Sequence, residues 1–335
     1  MPVTSHDVAR LAGVSQPTVS RALRDQRGVS EATRHTVREA ARALGYVPSQ
    51  AGRALSTRSA GRVGIVSAEL GNPFYPALIG PLSDGLAAAG YRTILVTDRG
   101  DAPVELEPLV DGSLDGVVLT TAERTSALPV ELHRRGLPYV LVNRVVDGVD
   151  ADSCVVDNRA GAASVADLLA ELGHRHVGAV LGPDATSTGH EREWGFRDRL
   201  GDLGVALPGR LVRRVAFDAD EGRRALTSLL AERPRPTAVF CGNDVIAFGV
   251  RNAARAAGVR IPADLTVVGF DDIPMASWEV FDLTTVRTDL AAMARHAVDL
   301  LVERMASPRR PDRRPARREV LTPELVRRGT HAPPP

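Results

Sequence analysis

Lysine is absent from all 335 residues, so each of the 42 basic side chains is an arginine. That absence excludes the phosphate-gripping lysine of a P-loop and the lysine amine that Schiff-base chemistry requires. Cysteine is nearly absent as well. Cys154 and Cys241 lie far apart inside apolar runs, SCVVD and VFCGND. Barring a single bridge, they form neither a zinc site nor a disulfide framework, and buried free thiols are expected. No apolar run reaches membrane-spanning length, and MPVTSHDVAR has no apolar signal core, so a cytoplasmic protein without a membrane partner is expected. No G-x-G-x-x-G follows an expected strand, which removes the dinucleotide fingerprint. Neither cofactor nor metal is expected.

A chain of this length holds two or three units, and its near-neutral balance of +1 conceals an asymmetry. Residues 1–60 carry nine arginines against four acidic side chains; the remainder carries 33 against 37. A basic head on a mildly acidic body points to a polyanion as partner of the head alone.

The head reads as three short helices. Thr4 with Asp7 three residues later resembles a capping box, and Val8, Leu11 and Ala12 fall on one helical face. Gly13 supplies the left-handed position that ends this helix, and Ser15 caps the next. Gln16 is then the first helical residue and Pro17 the second. The first N–H groups of a helix have no intrahelical partner, so a proline there costs no hydrogen bond and sets φ in advance. Val19 and Leu23 face the first helix, leaving Gln16, Ser20 and Arg21 outward. Ser30 caps a third helix with an apolar stripe of Val37, Ala40, Ala41 and Leu44, ended by Gly45. Three helices with a tight glycine turn between the first two form a helix-turn-helix unit.

The ordered set Thr4-x-x-Asp7-Val8-Ala9, Ala12-Gly13-Val14-Ser15, Thr18-Val19-Ser20-Arg21, Val29-Ser30, Thr33-Arg34 and Gly45-Tyr46-Val47-Pro48 resembles the DNA-binding head of the LacI/GalR family of transcription regulators. The resemblance implies that the second helix enters the major groove and reads bases with Gln16, Pro17 and Arg21. Gln pairs with adenine, Arg with guanine, and proline offers only an apolar contact. Ser15, Thr18, Ser20 and Arg34 are the candidates for phosphate contacts that position the helix, and the matched motifs add Thr4, Val29, Ser30 and Tyr46. Residues 49–58, SQAGRALSTR, match the family's hinge, in which Leu55, following Arg53 and Ala54, would wedge into the minor groove. Gly52 weakens the helix expected there by about 1 kcal/mol relative to alanine.

From Arg62 onward, short β-branched runs alternate with Ala/Leu-rich helical stretches. Strands are expected at Val63–Ser67, Thr93–Thr97, Gly116–Thr120, Tyr139–Val142, Val177–Leu181, Ala238–Cys241 and Leu265–Gly269, with helices such as Arg159–Leu172 and Val245–Ala257 between them. This alternation indicates parallel α/β sheets, with ligand sites at the strand carboxyl ends. Polar residues recur at those ends: Asn72, Asn143, Asp157, Asn243 with Asp244, and Asp271 with Asp272. Each alone reads as a loop residue or helix cap; together they suggest a polar cleft between two lobes.

The family resemblance extends through the body. It implies an effector site built from Asn72, Phe74, Tyr75, Asn143, Arg192, Phe217, Asn243 and Asp271, with Asn143 where many sugar-binding members have Asp. The implied fold class is an all-α helix-turn-helix head plus an α/β bilobal, periplasmic-binding-protein-like body of two doubly wound parallel sheets. The expected divisions are a head of 1–48, a hinge of 49–60, a body of 61–330 and a tail of 331–335. Within the body one lobe is expected at 61–157 with 287–318, and the other at 158–286 with 319–330. Pro81 is expected to kink the helix that begins near Phe74. RRPDRRPARR (309–318) reads as a solvated loop, and the tail HAPPP lacks the leucine heptads of tetramerising members, so a homodimer is expected.

A ligand-gated repressor of sugar or small-metabolite genes, bound to double-stranded operator DNA, therefore heads the expectations. A solute receptor is the alternative, opposed by the head. An enzyme using Asp271 and Asp272 as an acid/base pair is a third reading; no nucleophile, base or metal motif accompanies them, and no catalytic residue is assigned.

Overall fold

A computed structural model of the chain describes residues 3–23, 25, 27–46, 59–68, 70–98, 107–306 and 314–335. The hinge residues Arg53, Ala54 and Leu55, the head's last expected residues 47–48, and positions 309–313 of the arginine-rich run lie outside these. The chain divides into two compact units, residues 1–60 and 61–335.

The head consists of α1 (Ser5–Ala12), α2 (Gln16–Leu23) and α3 (Glu31–Ala43). The Asp7 carboxylate accepts from both the amide and the hydroxyl of Thr4, and Gly13 takes φ of 65° to end α1. These bonds hold the exposed Asp7 carboxyl below its ordinary pKa. The three helices close on Val8, Val19, Ala22 and Val37, all without exposure, with Ala9, Ala40 and Ala41 beside them. Leu11 departs from expectation. It stays 56% exposed, because the apolar arc of an eight-residue helix is already filled by Val8 and Ala9. The Ser30 hydroxyl accepts from the Thr33 amide at the start of α3.

The body contains two parallel sheets. The first has six strands: β1 (Arg62–Ala68), β2 (Arg92–Asp98), β3 (Gly116–Leu119), β4 (Tyr139–Val142), β5 (Ser153–Val156) and β11 (Arg318–Leu321), in the spatial order β11-β5-β4-β3-β1-β2. The second has four: β6 (Val177–Leu181), β7 (Val212–Arg214), β8 (Ala238–Cys241) and β9 (Thr266–Val268), ordered β7-β6-β8-β9. Central strands such as β3, β6 and β8 are buried along their whole length, as strands covered on both faces by helices must be. A short antiparallel ribbon pairs β10 (Thr285–Arg287) with β12 (Glu324–Val326).

The last crossing between lobes lies later than the expected 318/319 boundary. Arg318–Leu321 pairs in parallel with Ser153–Val156, so the first sheet keeps the chain through Leu321. The Leu290–Ala306 helix packs on β3, β4 and β5 and on the Phe74–Ala88 helix, and so belongs to the same lobe. The Phe74–Ala88 helix continues through Pro81. The tail is tied down as well: the Ala332 carbonyl accepts from Thr266 and contacts the His174 ring.

Candidate functional site

In the head, α2 presents its polar side away from the core. Pro17 and Arg21 are exposed, Gln16, Thr18 and Ser20 are half-buried, and Val19 and Ala22 form the buried side. Pro17 is the second residue of α2, where no intrahelical N–H bond is lost. Ser15 begins the helix through its carbonyl, which accepts from the Thr18 and Val19 amides. Its hydroxyl lies 2.8 Å from that of Thr18, and the Gln16 amide reaches the Ser5 hydroxyl at 3.3 Å. Arg21 is lightly held, its Nε 3.4 Å from the Pro17 carbonyl. Arg34 ion-pairs with Asp25 and Glu31 at 3.6 and 3.9 Å. Thr4 and Ser30 are exposed helix starters; Val29 and Tyr46 pack partly against the core.

In the body, the strand carboxyl ends of both sheets converge on a narrow cleft with a cavity of about 20 Å³. All eight residues expected there line it: Asn72, Phe74, Tyr75, Asn143, Arg192, Phe217, Asn243 and Asp271. Direct hydrogen bonds link the two lobes, from the Arg124 amide to the Ala185 carbonyl at 2.8 Å and from the Val145 amide, next to Arg144, to the Ser187 hydroxyl at 3.0 Å.

Each lining residue is placed by its element. Asn72 follows β1 and its Oδ1 accepts from the Phe74 amide, which starts the next helix. Phe74 and Tyr75 meet edge to face at 5.4 Å. Asn143 ends β4 in a left-handed conformation, φ 68°, and Asp271 follows β9 at φ 111°. Non-glycine residues held in such conformations cluster at ligand sites because the surrounding structure must over-determine them. Asn243 caps the Asp244–Ala256 helix through Oδ1, bonded to the Ile246 amide. Gly182 admits the Phe217 ring: a Cβ there would collide with it.

Arg192 is the most connected group. Its Nε donates to Asn158 Oδ1, Nη1 to the Gly242 carbonyl and Nη2 to Asp271 Oδ1, at 2.8, 2.7 and 2.8 Å. Its guanidinium also lies 3.8 Å from the Phe270 ring centroid. Burial pushes the Asp271 carboxyl up to about 6 despite the opposing pull of Arg192 and Arg144.

The neighbouring carboxylates serve structure. Asp244 is fully buried, accepts from the Thr285 hydroxyl and the Ile273 amide, and is held well above its ordinary pKa by burial. Asp157 caps the Asn158–Glu171 helix. Asp272 pairs with Arg287 and Arg328, both at 2.7 Å, whereas Asp271 pairs with Arg192. The two adjacent acids therefore work on different partners and do not form an acid/base pair. Sequence reasoning missed two lining residues, Arg144 and Thr188. Arg144 was signalled only by adjacency to Asn143, and Thr188 only by lying just after β6.

Among the described residues no cluster of three or more His, Cys, Asp or Glu is placed to hold a metal ion, and no helix is long and apolar enough to cross a membrane.

A helix-turn-helix head joined to a bilobal α/β body with a polar cleft defines the class of ligand-binding DNA regulators. Residues 4–49 match the family described as bacterial regulatory proteins, lacI family, and residues 166–331 match the periplasmic binding protein-like domain. The chain is 36% identical to an uncharacterized HTH-type transcriptional regulator in the aml 5′ region of Streptomyces limosus, covering 97% of this chain and 93% of the relative. It is 35% identical to the HTH-type transcriptional regulator MalR of Streptomyces coelicolor, over 97% and 96%. Among solved structures, the transcriptional regulator CelR–cellobiose complex superposes with a TM-score of 0.74 at 32% identity, covering 98% of this chain and 99% of that one. The lac repressor dimer bound to operator and the anti-inducer ONPF shares the fold at a TM-score of 0.87 and 24% identity, over 99% and 100%. The chain belongs to the lacI family of bacterial regulatory proteins. It is a DNA-binding transcriptional regulator, not an enzyme.

Proposed function

We propose that the protein is a cytoplasmic, effector-gated repressor that binds a pseudo-palindromic operator as a homodimer, with a sugar or similar polar metabolite in the cleft. The observation that carries this reading is the pairing, in one chain, of an outward-facing α2 with a cleft of buried polar side chains. In this reading Gln16, Pro17 and Arg21 face bases, while Ser15, Thr18, Ser20 and Arg34 hold phosphates. Two heads related by two-fold symmetry would read two half-sites. The effector acts only through a difference in affinity between the DNA-competent and DNA-incompetent arrangements, transmitted through residues 49–60. The similar CelR structure is a complex with cellobiose, which supports a carbohydrate class.

Anisotropy titration of the full chain against DNA from its own upstream region tests this. Binding should weaken steeply with salt, because each neutralised phosphate releases counterion. Arg192→Ala should weaken effector response at least tenfold while effector-free operator affinity stays unchanged. The absence of salt-sensitive binding to any such DNA would sink the proposal.

A further inference from the structure

Two arginines reach the cleft, and only one is ion-paired; Arg144 acts on the Asp271 carboxylate through space alone. Arg192 uses Nε, Nη1 and Nη2 on protein acceptors, one of them the Asp271 carboxylate. Arg144 is just as buried, 5% exposed, yet has one hydrogen bond, from Nη1 to the Thr121 carbonyl at 3.3 Å. Its Nε is buried without a partner. No carboxylate among the described residues forms an ion pair with it. Its nearest faces are aromatic, with the Tyr75 ring centroid 6.0 Å and the Phe217 centroid 5.6 Å from the guanidinium carbon. At such distances cation–π attraction supplies about 0.5–2 kcal/mol. Desolvating an ion costs several kcal/mol. The rings therefore do not offset the burial.

The remaining charges lining the cleft leave a surplus. Among the described residues the one acid lining the cleft, Asp271, is already bonded to Arg192, and the side chain beside Arg144 is the neutral amide of Asn143. The described lining thus holds two guanidiniums against one carboxylate, with the rings of Phe74, Tyr75 and Phe217 beside them. An arginine fork with a free donor matches the planar geometry of a carboxylate or phosphate.

We propose that the effector carries an anionic group, a carboxylate or a phosphate, on a polyhydroxy scaffold, and that Arg144 is the residue that selects it. This rests on the reading of the cleft as the effector site. Asn72, Asn143 and Asn243 then address hydroxyls while Arg144 takes the charge. A neutral sugar leaves Arg144 unpaired and binds more weakly than its acid or phosphate.

Calorimetric and thermal-shift titrations of the full chain with glucose, glucose 6-phosphate, glucuronate and inorganic phosphate, at matched ionic strength, test the assignment. At least one anionic probe should bind tenfold or more tightly than glucose, and the two sugar derivatives distinguish phosphate from carboxylate. Arg144→Gln and Arg144→Met should erase that preference while leaving the response to glucose in place. Ligand-free Arg144→Met should melt no lower than the wild type, since it removes an unpaired buried charge; a clear fall in Tm would overturn the proposal. Equal responses of wild type and Arg144→Gln to every anion, including no response, would overturn it too. If glucose binds best and depends on Arg192 but not on Arg144, the cleft reading stands and the anionic class falls. If the probes bind with no dependence on either arginine, the cleft reading itself falls.

Discussion

In the head, Pro17 and Arg21 stand exposed on a helix whose other side, Val19 and Ala22, is sealed into the core. In the body, Arg192 and Asp271 are 3% and 5% exposed and hydrogen-bonded to each other. The contrast follows from the size of the partners. A duplex is met by a surface, so its contacts stay in water and contribute little to folding. A small effector is enveloped, so groups that meet it tend to be held by protein when it is absent, as Arg192 and Asp271 are, and Arg144 is the exception. Substitutions at outward α2 positions should therefore separate function from stability, whereas substitutions of the paired cleft residues Arg192 and Asp271 should move both.

The largest effect tests the head's side of this contrast. Val19 has no exposure, and the head's core among the described residues has seven buried apolar residues, four of them without exposure. An aspartate there is a buried unpaired charge, costing at least about 4 kcal/mol. A domain this small has little reserve. Val19→Asp should unfold the head and abolish operator binding while the thermal transition of the body remains. Arg21→Ala should weaken operator binding with the head's helical signal intact. Val19→Asp protein that binds DNA normally, or Arg21→Ala protein that loses its helices, would break the distinction.

A middle-sized effect separates the two regions by the sign of their pH dependence. Asp271 has its folded pKa raised to about 6 from an ordinary 3.8 by burial. The folded body therefore binds a proton that the unfolded chain has already lost between those values. Stability from this group is fully present below about 3.8 and is lost as pH rises through about 6, a swing of at most about 3 kcal/mol. Asp7 in the head has the opposite sign, because the Thr4 bonds favour its ionised form. Its contribution is present at neutral pH and fades as pH falls below the ordinary carboxylate range. Urea unfolding from pH 4 to pH 7 should show Asp271→Asn destabilised relative to wild type progressively more toward the acid end. Parallel pH profiles for the two proteins would show that Asp271 does not titrate in that window.

The same contrast governs what was legible in the sequence. The head was legible almost residue by residue, since its signals are local: a cap at Thr4, a left-handed Gly13, a proline at the second position of α2. In the body, runs such as VGAVL and AVFC marked the long central strands. The three-residue strands β7, β10 and β12 (VRR, TVR and ELV) are too short to show a period, and only their pairing identifies them. The 318/319 boundary missed for a related reason. Nothing in REVL announces that it pairs with Ser153–Val156 rather than crossing. Leu11 satisfied a helical period, yet the core closed without it. Arg144 could not be singled out, because its interest lies in what fails to surround it.

The smallest stability effect bears most directly on specificity. Pro17 is exposed and occupies a position where the helix needs no N–H bond, so Pro17→Gln should change stability by less than about 1 kcal/mol. It replaces a rigid apolar contact with a side chain able to pair with both N6 and N7 of adenine, a difference of about 1–3 kcal/mol at a single base pair. Selection of operators from randomised duplexes, run in parallel on wild type and Pro17→Gln, should yield sites that differ at one position in each half-site. Gln16 and Arg21, unaltered on the same helix, should keep their neighbouring preferences. Identical selected sites would reduce Pro17 to a helix-starting residue, and the outward face of α2 would then read DNA through Gln16 and Arg21 alone.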